Sequence, residues 1–113
     1  MTVREINLKY DMPTVDTALR RMETELSAAR HTGQKLFKFI HGYGSTGTGG
    51  KIRGAVRRAL RERQGAGSVS FVLPGEEFGM FSADARQAAN RYPALRQDRD
   101  WGRENDGITV VVL

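Results

Sequence analysis

An α/β fold with an open sheet is predicted by the order of the elements along the chain. Four short segments have the alternating or continuous apolar pattern of strands, and two longer segments with apolar residues at helical spacing separate the first three. The predicted order is βαβαβ, then an irregular excursion, then a last β. Strands that alternate with helices favour an open α/β sheet with right-handed crossovers.

Length and composition limit the class of protein. The 113 residues suffice for one domain, expected to span 1–113, and the hydrophobic share of 39% with 27% charged residues is typical of a soluble globular protein. No apolar run approaches the roughly 20 residues of a membrane span, so no membrane partner is expected. The chain has no cysteine, which excludes disulfides and thiolate metal sites. Its first residues lack the apolar core of a signal peptide, and the cytoplasm is the expected compartment.

The first half of the chain predicts a strand, a helix and a second strand. Residues 4–10 alternate apolar and polar side chains, and Pro13 closes this strand. Thr14 can cap a helix whose apolar residues share one face, and Gly33 ends it. The segment "LFKFI" at 36–40 is a short, mostly apolar strand that leads directly into "HGYGSTGTGG".

The second half begins with a helix from about Gly49, in which Ile52, Val56 and Leu60 face the core. A third strand is expected at 68–73, and the closing "GITVVVL" is apolar and β-branched enough for a buried strand. Between these two strands lies the excursion, residues 75–106. It contains a short helix capped by Ser82 and stopped before Pro93.

The excess positive charge is confined to the second helix. Residues 51–63 carry six basic side chains and one acidic one, whereas the remainder of the chain holds 12 of each sign. Within this helix, Arg53, Arg57 and Arg61 recur every four residues and predict a cationic stripe beside the apolar face. A focused positive field favours a polyanionic partner.

The glycine-rich loop before that helix does not match the common nucleotide motifs. Ser45 stands where a P-loop needs its first glycine, and Ile52 stands where it needs a hydroxyl. The dinucleotide spacing is present, but its acidic partner would fall near Glu62 in the basic helix. A nucleotide cofactor is therefore not expected.

The loop and helix together still predict an anion site. Glycines permit positive φ and close backbone approach, so that consecutive N–H groups can form a concave nest, and the helix N-terminus adds its positive end. The alternative is a flexible loop followed by a solvated cationic face. The predicted phosphate-binding residues are Gly42, Gly44, Ser45, Thr46, Gly47, Thr48, Gly49, Gly50, Lys51, Arg53, Arg57 and Arg61.

Three segments resemble the Smr (small MutS-related) domain family. "IHGYGSTGTGGKIRGAVRRAL" is similar to its H-G-x-G loop and following helix, and "TVDTALRRMETEL" and "GITVVVL" are similar to its first helix and final strand. The resemblance implies a two-layer α/β sandwich similar to the C-terminal domain of a bacterial translation initiation factor. It also implies binding of DNA or RNA, often with endonuclease activity, in recombination control or the rescue of stalled ribosomes. A ribosome or other nucleoprotein is accordingly an expected partner.

One departure from the family affects the expected chemistry. The family's L-D-x-H-G motif corresponds to "INLKY", in which Asn7 replaces the aspartate, Lys9 the histidine and Tyr10 the glycine. A general base and a candidate metal ligand are therefore missing. We expect cleavage to be absent or very slow, no bound metal or other cofactor unless a divalent ion serves residual cleavage, and phosphate binding to be retained. The excursion is longer than the family's usual connection before its last strand.

The remaining candidates each have two interpretations. His41, which matches the family's H-G-x-G histidine, is the candidate catalytic residue as a proton donor or acceptor; alternatively, it only fixes the loop. The aromatic residues of the excursion either stack on bases or pin the excursion to the body, and its acidic run is expected to be a solvated loop rather than a cation site. The aromatic residues are Phe78, Phe81, Tyr92 and Trp101. The acidic residues are Asp98, Asp100, Glu104 and Asp106.

Two classes of function follow. The first is a nucleic-acid-binding domain whose glycine-rich loop and basic helix hold the phosphate backbone, with weak or lost endonuclease activity. The second is a non-catalytic protein-interaction or regulatory module whose basic helix docks an acidic partner.

Overall fold

The computed structural model describes residues 1–11, 13–43 and 48–113. Within them lie four strands, three α-helices and two 3-10 turns, the turns at Gly75–Glu77 and Pro93–Gln97. The strands are β1 (Arg4–Asn7), β2 (Leu36–Ile40), β3 (Phe71–Pro74) and β4 (Ile108–Val112), and the helices are α1 (Val15–Thr32), α2 (Thr48–Gly65) and α3 (Ala83–Arg91). None of these helices has the length and apolar character needed to cross a membrane.

The strands form one mixed sheet in the order β1-β2-β4-β3. β1 and β2 are parallel, whereas β4 lies between β2 and β3 and runs antiparallel to both. Pro74 ends β3, which is an edge strand, and an edge tolerates a residue without a backbone donor. The α/β class predicted from the sequence is confirmed.

Helices α1 and α2 pack on one face of the sheet. Phe37 and Phe39 of β2 point to this face, with their rings parallel and the centroids 5.8 Å apart. They pack with apolar residues that recur at helical spacing in the two helices: Ala18, Met22, Leu26, Ile52, Val56 and Leu60.

The excursion covers the other face of the sheet. Leu36, Ile108, Val110 and Val112 pack there against Phe78, Ala85, Ala88, Ala89 and Leu95. This layer goes beyond the expected two-layer sandwich. It also explains why β2 and β4 are apolar on both faces instead of alternating, since strands covered on both sides are buried throughout.

Local signals set the helix ends where the sequence predicts them. The Thr14 hydroxyl accepts the Thr17 amide hydrogen at 3.2 Å, and Gly33 ends α1 with φ of 73°. The Ser82 hydroxyl likewise accepts from the Ala85 amide at 3.2 Å at the start of α3.

The ends of two strands differ from the prediction. β1 ends at Asn7 rather than Tyr10, because the Asn7 side-chain oxygen accepts the Lys9 amide hydrogen at 2.9 Å and turns the chain. The third strand begins at Phe71 rather than Ser68, although the Ser70 amide already donates to the Val112 carbonyl at 2.8 Å.

Candidate nucleic-acid interface

The candidate site lies where the end of β2, the start of β4 and the first half of α2 meet. The amides of His41 and Gly42 both donate to the Gly107 carbonyl, each at 3.0 Å. Gly42 has φ of +87°, a conformation that requires glycine at this turn. Because its amide is already bonded, Gly42 shapes the entry to the loop but does not offer the free N–H group expected of it.

His41 is fully buried, at 0% exposure, and both its ring nitrogens have partners. Nδ1 lies 2.9 Å from the Gly42 carbonyl oxygen, which can only accept, so Nδ1 carries the proton. Nε2 of the neutral ring then accepts the Thr109 hydroxyl hydrogen at 2.8 Å, and Arg57 Nε donates to the same hydroxyl oxygen at 3.0 Å. One chain of hydrogen bonds therefore runs from Arg57 through Thr109 to His41.

Burial lowers the pKa of His41 to about 4, and the nearby charges of Arg57 and Arg53 act in the same direction. The ring is thus neutral near pH 7. It holds the Gly42 carbonyl by a hydrogen bond and does not face solvent. A catalytic role for His41 would require the ring to leave this network.

Arg57 lies inward, contrary to the cationic stripe predicted from the sequence. Its side chain is 17% exposed, and its two terminal nitrogens donate to the Glu76 carboxylate at 3.0 and 2.8 Å. Its Nη2 also donates to the carbonyl of Ile108 at 3.1 Å. Burial opposes ionisation of Glu76, but Arg57 outweighs it and keeps the pKa of Glu76 below its ordinary value. Replacing Arg57 would therefore disturb the fold as well as any ligand contact.

Arg53 also has an internal partner, since its Nη1 lies 3.1 Å from Asp106 of the excursion. Only Arg61 of the predicted stripe is exposed and has no ion pair with any described residue. The sequence could not reveal this difference, because both acidic partners come from the excursion.

The exposed cations of α2 are Lys51, Arg58 and Arg61, hereafter the α2 cationic face. None of the three forms an ion pair within the described part of the chain. Lys51 and Arg58 are seven residues apart, so they lie on the same side of the helix, with Gly54 between them. Sequence reasoning counted Arg58 in the charge but left it out of the stripe.

A small cationic cavity of about 180 Å³ lies at the carboxyl ends of β1 and β2. It is lined by Lys9, Gly42, Tyr43 and Arg99, and also by Asp100, whose charge is balanced by Lys38. The carboxyl ends of parallel strands are a common place for ligands. Sequence reasoning treated Lys9 as the loss of a family histidine rather than as a cation. It missed Arg99 because the excursion supplies that residue.

The structure describes only some of the predicted site residues. Gly44, Ser45, Thr46 and Gly47 lie outside the described residues, as does the side chain of Thr48. Gly50 and Lys51 lie in the first turn of α2, where backbone N–H groups lack intrahelical partners. The prediction of a phosphate nest in the loop therefore stays a prediction.

The first half of the acidic run, Asp98 and Asp100, is not the solvated loop that the sequence suggests, whereas Glu104 is exposed as expected. Lys38 of β2 is 1% exposed, and its ammonium lies 3.0 Å from Asp98, 2.8 Å from Asp100 and 3.2 Å from Glu5. Burial opposes the charged ammonium, but its hydrogen bonds to Asp100 and Asp98 outweigh burial and raise the pKa of Lys38. Across 1–11, 13–43 and 48–113, no three His, Asp or Glu residues are grouped to hold a metal ion.

Most aromatic residues of the excursion pin it to the body. Phe78 is buried and meets Trp101 edge to face, with centroids 5.1 Å apart, and Tyr92 packs against the same cluster. Phe81 differs, because its side chain is 98% exposed.

Comparison with known proteins places this arrangement in a family. The chain matches the family model of the Smr domain over residues 11–113, a region that includes the excursion but not β1. It is also similar to the crystal structure of the Smr domain of Thermus thermophilus MutS2, with a TM-score of 0.59 and 24% identity over 97% of this chain and 96% of that one. At that identity the structural likeness shows the fold alone. No curated protein matches significantly. The match to most of the chain shows that it belongs to the Smr domain family.

Proposed function

We propose that this protein binds nucleic acid by its phosphate backbone, along the α2 cationic face and the glycine-rich loop that precedes it. The observation that carries the proposal is that Lys51, Arg58 and Arg61 are exposed on one helix and have no ion pair among the described residues. Smr domains are in general nucleic-acid-binding or nuclease-like, which supports the same class of ligand.

The dimensions of the α2 cationic face suit a polymer of phosphates. Lys51 and Arg61 are ten residues apart, which corresponds to about 15 Å along a helix axis. One strand of a duplex carries about four phosphates over that distance. Contacts of this kind position the backbone and carry no base information, so we propose binding with little sequence preference.

Gly54 lies between the two cations on its side of the helix, and of the described residues only the flexible side chain of Arg58 lies against its backbone. A Cβ atom at this position would lie 3.3 Å from Nη1 of Arg58 and would meet no other described side chain or distant backbone within 4 Å. A phosphate can therefore approach the helix closely here, with Lys51 on one side and Arg58 on the other.

The same site supports binding better than cleavage. At the end of β1 the amide of Asn7 stands in place of the family's carboxylate, and its oxygen is bonded to the Lys9 amide. The imidazole of His41 is buried and neutral. Neither group is placed to activate a water molecule, so we propose that endonuclease activity is weak or lost. End-labelled RNA and DNA, incubated with and without magnesium or manganese, should remain intact.

The binding test compares two charge-matched double variants by fluorescence anisotropy, using labelled single- and double-stranded RNA and DNA. Arg58→Gln with Arg61→Gln removes two cations from the α2 cationic face; Arg91→Gln with Arg103→Gln removes two exposed cations elsewhere. For the parent, we expect log K to fall with log salt at a slope of roughly −3 to −4. The first variant should flatten this slope by about one unit per lost contact, and the second should not.

Equal slopes for the two double variants would contradict the proposal, since the position of the lost charges would then not matter. A competition experiment addresses the second class of function. Polyglutamate of matched charge that displaced RNA as effectively as unlabelled RNA would favour an acidic protein partner over a nucleic acid.

A further inference from the structure

A second, larger pocket lies on the excursion, away from the α2 cationic face. Its volume is about 640 Å³, and it is formed by the segment from Glu76 to Asp84 and the turn from Trp101 to Glu104. Phe78 and Trp101, which meet edge to face, supply its apolar wall. The size is that of a site for several side chains rather than for one ion.

The rim of this pocket exposes large apolar side chains. Phe81 is 98% exposed and Met80 is 64% exposed, and both line the opening. A single exposed apolar residue is ordinary, but two adjoining ones at the mouth of an apolar pocket are typical of a surface that a partner covers. Aromatic and methionine side chains are enriched at such interfaces.

The charge of the pocket is opposite to that of the protein. Glu77, Asp84 and Glu104 line it and form no ion pair with any residue in the described ranges. Among the residues that the structure describes, no basic one lines it, although the chain as a whole has a net charge of +5.

Three basic residues near the pocket are already engaged, whereas Arg103, between the lining residues Gly102 and Glu104, is exposed and does not line the pocket. Arg57 is bonded to Glu76, Arg86 donates to the Met80 carbonyl at 2.7 Å, and Arg96 lies 5.8 Å from the centre of the Trp101 ring. The carboxylates at the rim would repel a polyanion and attract a cationic ligand.

We propose that this pocket docks a basic peptide segment of a partner protein. An apolar side chain of that segment enters between Phe81 and Trp101, and flanking lysine or arginine side chains reach Glu77, Asp84 and Glu104. The apolar contact supplies affinity, and the carboxylates select against acidic segments. This surface is separate from the α2 cationic face, so the protein can hold a nucleic acid and a basic partner at the same time.

Trp101, the only tryptophan of the chain, makes the proposal directly testable because it lines the pocket. The probe is a capped pentapeptide of sequence Arg-Leu-Phe-Arg-Lys, titrated while Trp101 fluorescence is recorded. Two control peptides separate the contributions: one replaces the basic residues by glutamine, and one replaces Leu and Phe by glycine. We expect saturable binding of the probe and at least tenfold weaker binding of either control.

Substitutions in the pocket test where the probe peptide binds. Phe81→Ser should weaken binding about fivefold or more, and Glu77→Gln with Glu104→Gln should weaken it and reduce its dependence on salt. Matched controls are Tyr10→Ser, an exposed aromatic residue in the turn after β1, and Glu62→Gln, an exposed acid on α2. Both should bind like the parent. All replaced side chains are exposed, and thermal melts check that the variants fold.

Three outcomes would overturn the proposal. The first is no saturable fluorescence change up to about 1 mM peptide, the range of very weak binding. The second is a Phe81→Ser variant that folds and binds the probe as tightly as the parent. The third is a dimer in sedimentation that Phe81→Ser converts to monomer, since a second copy of this chain would then be the occupant. The Arg58→Gln, Arg61→Gln protein should bind the probe normally, so failure at one surface is distinguishable from failure at the other.

Discussion

His41 shows how a buried histidine can fix the backbone at the end of a strand. Its ring is held neutral between the Gly42 carbonyl and the Thr109 hydroxyl, and the pKa is lowered from 6.5 to about 4. Between these two values the unfolded chain binds more protons than the folded chain. This contribution to stability is therefore complete above about pH 6.5 and is lost as the pH falls toward 4, by about 1.4 kcal/mol per pH unit.

Denaturant unfolding at pH 7 and pH 5 measures this loss, which we expect to be about 2 kcal/mol for the parent. His41→Asn should lose much less between the same two pH values, whereas His31→Asn, at an exposed position on α1, should behave like the parent. Glu76 and Asp100 do not interfere, because their pKa values lie below the ordinary range and their contributions are lost only at lower pH. An equal pH dependence in the His41→Asn protein would show that this histidine is not the titrating group.

The arginines of α2 show what residue-level prediction can and cannot reach. Ile52, Val56 and Leu60 fix the buried side of the helix, and the sequence places them correctly. The arginines at 53 and 57 flank this side on one edge. Whether that edge faces solvent or another segment depends on the excursion, whose carboxylates are distant in sequence. Periodicity within one helix therefore cannot distinguish Arg57, which stabilises the fold, from Arg58, which is exposed.

The helices and strands could be predicted because their ends depend on residues close in sequence. The pairing of strands could not, because it depends on residues far apart in sequence. The ends of α1 and α3 depend on capping side chains within three residues, and β2 matches its predicted range because it is a short apolar run bounded by polar and glycine residues. The insertion of β4 between β2 and β3 depends on contacts across the whole chain. No local pattern encodes it.

Within α2, Gly54 affects both the stability of the helix and the proposed binding of nucleic acid. Glycine in a helix interior costs about 0.5–1 kcal/mol relative to alanine, and a Cβ atom here would meet only the mobile end of Arg58. We therefore expect Gly54→Ala to raise the free energy of unfolding by that amount and yet to weaken nucleic-acid binding, because the methyl group blocks close approach of a phosphate.

The control for this substitution is Gly65→Ala at the end of the same helix, where a Cβ atom would meet no described residue within 4 Å. It should leave binding unchanged. Thermal or denaturant unfolding gives the stability of both proteins, and anisotropy with labelled RNA gives their affinities. If Gly54→Ala stabilised the helix and bound as tightly as the parent, close approach at this position would not be part of recognition.

At the scale of the whole molecule, a buried group of ion pairs around Lys38 holds the excursion to the sheet. Lys38 stands in the middle of an apolar strand, and two of the three acids that neutralise it, Asp98 and Asp100, come about 60 positions later. The sequence contains both signals, a lysine within "LFKFI" and an acidic run before the last strand. Neither identifies the other, because only the folded sheet brings them together. The turn that carries Asp98 and Asp100 also carries Arg99 to the cationic cavity beside Lys9 and Gly42.

Removing the charge of Lys38 should weaken the packing of the whole excursion on the sheet, and not only the contact at this position. In Lys38→Met the side chain still fills its space, but Asp98 and Asp100 are left nearly buried without their cation. Breaking a buried ion pair on one side costs about 3–5 kcal/mol. Lys35→Met, an exposed position just before β2, is the matched control and should change stability little.

Hydrogen exchange can locate the effect as well as measure it. The amides of Trp101, Gly102 and Arg103 are bonded within the turn or to Phe78, so their exchange should accelerate strongly in Lys38→Met and not in Lys35→Met. Amides of α1 should accelerate less, because that helix packs on the opposite face of the sheet. Since the same turn carries Trp101, its loosening should also weaken the peptide interaction proposed above. If the Lys38→Met protein were as stable as the parent, with the turn equally protected, apolar packing alone would hold the excursion on the sheet.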